Sequence, residues 1–181
     1  MKARLQTILL TAFTVFAVFT VITYSACNQD KCKSIACSNS GVCTDGKCNC
    51  LSGYEGPQCE TINRTRYLGP WIVTENGSIT DAAQYTISIE PGDNISEIRI
   101  KNMRNLFTEY VSAFVNHDTL VIPQTTIENG KYTVIGSGIL TYEKYYGVNG
   151  KLTVRYKVTD NTTGLVDDFG VDGGDASLWN K

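Results

Sequence analysis

No cysteine follows Cys59, a single histidine occurs in the whole chain, and nowhere do lysines and arginines gather into a run. Each shortage removes a class of chemistry. Without thiols the later two thirds of the chain cannot supply a cysteine nucleophile, a redox pair or a cysteine-ligated metal. The one histidine, His117, stands in Val115-Asn116-His117-Asp118-Thr119 between two strand signals, so an exposed turn is expected there and a Ser-His-Asp arrangement is not. Phosphate binding needs clustered bases, whereas here bases alternate with acids and fourteen acids face nine bases from Tyr67 onward, which argues against nucleic acid as a partner. Carboxylate pairs can act without histidine, but such sites sit in large folds with deep clefts. Neither catalysis nor a cofactor is expected. The same region also lacks any helix-length amphipathic period, which points away from a helical domain.

What the chain has is divided in three. Lys2 and Arg4 precede a nearly unbroken apolar run from Ile8 to Tyr24 that ends in the small residues Ser25 and Ala26, the plan of a signal peptide over residues 1–26. The run from Leu5 to Tyr24 approaches the length that spans a bilayer, so an uncleaved N-terminal anchor is the alternative. Both place the rest of the chain outside the cytosol. Ser25-Ala26-Cys27 resembles the lipobox of bacterial lipoproteins, which implies a lipid on Cys27, a tether over 27–31 and the membrane as a partner through that lipid. Seven cysteines leave one over when six pair, and lipidation accounts for it; an unmodified or intermolecularly paired thiol is the alternative.

Cys32, Cys37, Cys43, Cys48, Cys50 and Cys59 crowd into about thirty residues, too few to bury a core without covalent loops. Export and the absence of nearby histidine favour disulfides over zinc. Thr44-Asp45-Gly46-Lys47 reads as a tight hairpin. The ladder, ending in Gly53-Tyr54-Glu55-Gly56-Pro57-Gln58-Cys59-Glu60, resembles an EGF-like module over 32–60, with the short spacing of the tenascin-like variety. Spacing alone leaves fifteen pairings open. The resemblance implies Cys32 with Cys43, Cys37 with Cys48, and Cys50 with Cys59.

After a polar linker, 61–66, residues 67–181 carry strand signals. Leu152, Val154, Tyr156 and Val158 alternate with polar residues, as do Tyr85, Ile87 and Ile89, and Ile98 and Ile100. Asn76-Gly77, Asn129-Gly130 and Asn149-Gly150 are expected to turn hairpins. Further strands are expected over 68–74, 110–115, 119–122, 132–142 and 176–179. Seven or eight short strands require a closed antiparallel β-barrel or, alternatively, a β-sandwich. Gly136 and Gly138 fall on one face, where barrels bend; a ligand-facing role is the alternative. Gly69-Pro70-Trp71 resembles the Gly-x-Trp signature of lipocalins and other calycins, which implies that Trp71 closes one barrel end.

Four aromatics are candidate binding residues: Trp71, and Tyr142, Tyr145 and Tyr146 before the last Asn-Gly pair. Asp167, Asp168, Asp172 and Asp175 are oxygen ligands on a glycine-rich stretch, the candidates for calcium, although their spacing matches no calcium motif and a solvated loop is expected. The combination resembles surface lipoproteins of Gram-negative bacteria. It implies an outer-membrane or cell-surface protein that is not an enzyme and binds a protein or glycan. A carrier of a small apolar ligand and a passive envelope component are the alternatives.

Overall fold

The computed structural model describes residues 31–141 and 150–181. The export segment, Cys27, Tyr142, Tyr145 and Tyr146 lie outside the described residues.

In the cysteine module covalent bonds stand in for a core. Disulfides join Cys32 to Cys43, Cys37 to Cys48 and Cys50 to Cys59. Strands β1 (Val42–Thr44) and β2 (Lys47–Asn49) form a hairpin whose two turn residues, Asp45 and Gly46, both take positive φ, the geometry that matches strand twist. A second hairpin pairs β3 (Tyr54–Glu55) with β4 (Thr61–Ile62). Strand β4 falls in the stretch expected as a linker, and the remainder, Asn63–Arg66, is a 3-10 turn with Asn63 buried. Residues 61–66 are therefore structured throughout, because their hydrogen bonds run to the module on one side and to the cysteine-free domain on the other.

Seven strands then run as a meander: β5 (Gly69–Glu75), β6 (Ala83–Pro91), β7 (Glu97–Lys101), β8 (Val111–Asn116), β9 (Thr119–Ile127), β10 (Tyr132–Thr141) and β11 (Lys151–Asp160). Each pairs antiparallel with the next. The far edge of β11 is shared by β12 (Val166–Phe169) and β13 (Ser177–Asn180), and β13 also pairs with β5. The ring is thus an eight-stranded antiparallel β-barrel, and the sandwich alternative falls. Period-two alternation fills it: Trp71 and Val73 of β5, Ile98 and Ile100 of β7 and Leu152 and Val154 of β11 all point inward and are fully buried.

Closure depends on Gly136. A Cβ there would collide with the Cβ of Tyr156, its cross-strand partner, and come within 2.6 Å of the Arg155 carbonyl. The β9–β10 register shifts beside it, between Val134 and Gly136, and Pro123 of β9 sits within that interruption, where a missing N–H breaks no ladder. The paired glycines thus serve the bend, with Tyr156 filling the space.

Three sequence expectations need correction. Asn76-Gly77 is no two-residue turn; it opens the connection 76–82, which crosses the barrel end so that the Ser78 N–H donates to the Asp168 carbonyl at 3.0 Å. The β10–β11 ladder ends at Thr141 opposite Lys151, which leaves no two-residue turn before Lys151; Asn149 itself lies outside the described residues. The acidic stretch is a loop only in its second part, since Asp167, Asp168 and Phe169 are buried residues of β12. Asn129-Gly130 does turn the β9–β10 hairpin, with Tyr132 opposite Ile127.

Candidate binding site at the free end of the barrel

A meander alternates its turns between two ends, and the cysteine module occupies one of them. Arg66 donates through Nη2 to Glu55 of the module at 2.8 Å and through Nη1 to Asp118 of the β8–β9 turn at 2.6 Å. Buried beside it, the Asn63 amide, assigned the orientation that satisfies both its ends, donates to Glu55 (3.0 Å) and accepts the His117 N–H (3.1 Å). The Tyr67 hydroxyl donates to the His117 carbonyl, and Arg64 reaches the carbonyls of Gly92, Asn94 and Glu97 in the β6–β7 turn. Gly53 packs so tightly on Ile95 that an added Cβ would lie 2.6 Å from Ile95 Cγ2. His117 is an exposed turn residue, as expected, and its backbone makes this joint.

Among the described residues, large buried side chains pack the barrel's interior. Trp71 is fully buried, donates from Nε1 to the Tyr67 carbonyl at 2.6 Å and lies under Lys181 Nζ, 5.5 Å from its ring centre. Its ring is therefore packed at the module end of the barrel and has no exposed face. Farther in, the Glu75 carboxylate accepts hydrogen bonds from Tyr85 (2.6 Å), Tyr156 (2.7 Å) and Ser177 (2.6 Å), and Ser177 in turn accepts the indole N–H of Trp179 (2.8 Å). Burial, and then the negative charge of Glu75, push both tyrosine hydroxyls well above their ordinary range, so they remain donors. Phe169 stacks on Tyr156 at 4.4 Å, and the Arg104 guanidinium covers Phe169 at 5.0 Å.

Arg104 marks the opposite, free end. Asn102, Arg104 and Asn105 all hold left-handed φ, an uncommon conformation for residues with a Cβ, and it turns Arg104 inward onto Asp167. Asp167 also accepts the Thr80 hydroxyl (2.7 Å) and the Ile79 N–H (3.1 Å), so the connection 76–82 is tied down. Above this ion pair is a depression of about 150 Å³, walled by Tyr132 and Val158 and rimmed by Ile79, Leu106 and Leu165. Those three rim side chains are 58%, 52% and 59% exposed and lie around one depression, which makes them a contiguous patch rather than scattered apolar residues. Two carboxylates nearby are fixed as anions. The backbone N–H groups of Thr162 and Thr163 hold Asp160 below the usual carboxylate range, and those of Glu109 and Thr108 do so for Glu128.

The four calcium candidates do not converge. Asp167 is engaged by Arg104, while Asp168 accepts the N–H groups of Val171 (2.7 Å) and Asp172 (3.1 Å). Burial would raise the Asp168 carboxyl, but those amides and Lys157 outweigh it and hold it low. Asp172 pairs with Lys157, and Asp175 is exposed. Among the described residues, no group of three or more His, Cys, Asp or Glu is placed to hold a metal ion.

A family model described as Teneurin-like EGF domain matches residues 34–61. The cysteine segment is an EGF-like module, and the match runs into β4. The rim residues were not singled out from the sequence. An apolar side chain inside a turn-type stretch, such as Leu165 after Asn161-Thr162-Thr163-Gly164 or Ile79 after Gly77-Ser78, is the signal that could have found them.

Proposed function

We propose that this chain is an exported, lipid-anchored surface protein, without catalytic activity, whose EGF-like module holds the barrel so that its free end binds a protein or a glycan. The observation that carries this reading is the opposition of the two ends: the joint at Arg66 fixes the module to one, and the exposed depression lies at the other. Cys27 stands five residues before Cys32, so a lipid there would place the membrane on the module side. The filled interior speaks against a carrier of the lipocalin kind, because a chamber for an apolar ligand would have to displace Tyr156, Phe169 and Trp179. The test has two parts. Mass spectrometry of the mature protein is expected to find a diacylated Cys27 at the N-terminus, and protease treatment of intact cells is expected to release barrel peptides. An unmodified N-terminus at another residue removes the anchor, and a barrel untouched on intact cells removes surface display.

A further inference from the structure

The chemistry at the free end narrows what it binds. Resting on the surface-binding reading, we infer that the depression takes one apolar side chain presented by a basic segment of a partner protein. A volume near 150 Å³ suits a benzene-sized group and is too small to enclose a drug-sized ligand, so the occupant is the tip of something larger. Single large side chains seated in small pockets are how protein interfaces concentrate their binding energy.

Charge selects the flanks of that side chain. Segments 76–82, 101–110, 128–131 and 160–167, which build this end, carry five acidic side chains and three basic ones. Arg104 is neutralised by Asp167, which leaves Asp81, Glu109, Glu128 and Asp160 set against Lys131 and Lys101, whose Nζ lies 5.9 Å from the Tyr110 ring centre. Such a rim attracts a cationic partner and repels an anionic bilayer, a phosphate backbone or the same end of a second copy. A glycan is disfavoured because the aromatic ring at the site is already engaged: Phe107 lies 5.4 Å from Tyr132 in a tilted contact, and Lys131 Nζ covers the ring at 5.0 Å.

The test uses the full-length lipidated protein in neutral-lipid nanodiscs and short synthetic peptides bearing a central Leu or Phe between lysines. Matched peptides carry a central Ser, or glutamates in place of the lysines. Lysine-flanked apolar peptides are expected to bind, and to weaken by about tenfold when the central residue becomes Ser or when the protein carries Leu106→Ser or Leu165→Ser. The control variant Ile139→Ser, at a residue 47% exposed on the barrel's side, is expected to bind as the parent does. Binding should also fall between ~0.05 M and ~0.5 M salt, as the screening length contracts to a few ångström. The inference is overturned if no peptide binds, if flank charge or the central residue makes no difference, or if Leu106→Ser and Leu165→Ser behave like the control variant. A glycan array with the parent and Leu106→Ser separates the two claims: a glycan lost with Leu106 while the peptides fail sinks the basic-segment inference and leaves the surface-binding reading standing. Failure of the cell-surface protease test sinks that reading itself.

Discussion

The Tyr156 hydroxyl donates to the Glu75 carboxylate at 2.7 Å inside the barrel, and the two come from strands eighty-one residues apart in the chain. The buried Glu75 carboxylate accepts from three donors, so removing it strands Tyr85, Tyr156 and Ser177 together. Glu75→Ala is expected to cost about 3 kcal/mol and Tyr156→Phe roughly 2 kcal/mol. Urea unfolding of each, under oxidising conditions, checks the order.

The same pair predicts how stability responds to base. Both tyrosines titrate higher in the folded protein than the value of about 10 that they have when unfolded. Their neutral form is thus favoured by folding, the contribution is fully present below pH ~10, and it is lost as pH rises beyond that value. The unfolding free energy should decline above pH ~10 more steeply in the parent than in Tyr156→Phe. Equal slopes would show that Tyr156 is not the group responsible.

At the joint, the two partners of Arg66 differ in burial. The Glu55 side chain is 20% exposed and the Asp118 side chain 58%, so solvent screens the second pair far more. Arg66→Ala should therefore loosen the module, while Asp118→Asn should change stability by less than about 1 kcal/mol. Spin labels at Lys47 and Lys131 report this directly. A narrow distance distribution is expected in the parent and a broad one in Arg66→Ala; equally narrow distributions would count against Arg66 as the fastener.

Gly136 and Gly138 separate by the space each has. A methyl group at Gly136 would lie 2.4 to 2.9 Å from the backbone and Cβ of the neighbouring strand, whereas at Gly138 its nearest neighbours, a Val154 methyl and the Thr153 carbonyl, stand at 3.1 and 3.2 Å. Gly136→Ala should cost more than about 2 kcal/mol and Gly138→Ala about 1 kcal/mol or less. Comparable losses in chemical denaturation would mean that the bend is not seated at Gly136.

Reduction should divide the molecule along its cysteine boundary. Each disulfide closes a loop of about ten residues, worth roughly 3 kcal/mol to a module with no core. Both tryptophans, Trp71 and Trp179, are in the barrel. A thiol reductant is expected to abolish module hydrogen-exchange protection while tryptophan emission stays native. A shift of that emission on reduction would show that the barrel depends on the module.

Much of the fold was legible because it is written in short-range pattern. Leu152, Val154, Tyr156 and Val158 alternate at the strand period, so β11 could be placed almost to its ends, and Asp45-Gly46 named its own turn. Strand β12 was not legible, because Asp167 and Asp168 look solvated until Arg104, more than sixty residues earlier, and the 76–82 connection are seen to cover them. The linker misled for a related reason: Asn63, Arg64 and Arg66 are polar, and beside the nearby Glu55 their partners Gly92 and His117 are remote in the chain.

By itself the sequence determined a β chain with a disulfide-stapled module ahead of a cysteine-free domain, since alternation and cysteine spacing act over a few residues and tolerate few alternatives. Only the tertiary structure decided which end of the barrel meets the module, that its interior is filled by Tyr156, Phe169 and Trp179, and that Ile79, Leu106 and Leu165 gather around one depression. Those outcomes depend on ring closure between β5 and β13, more than one hundred residues apart, and no local preference encodes a contact over that separation.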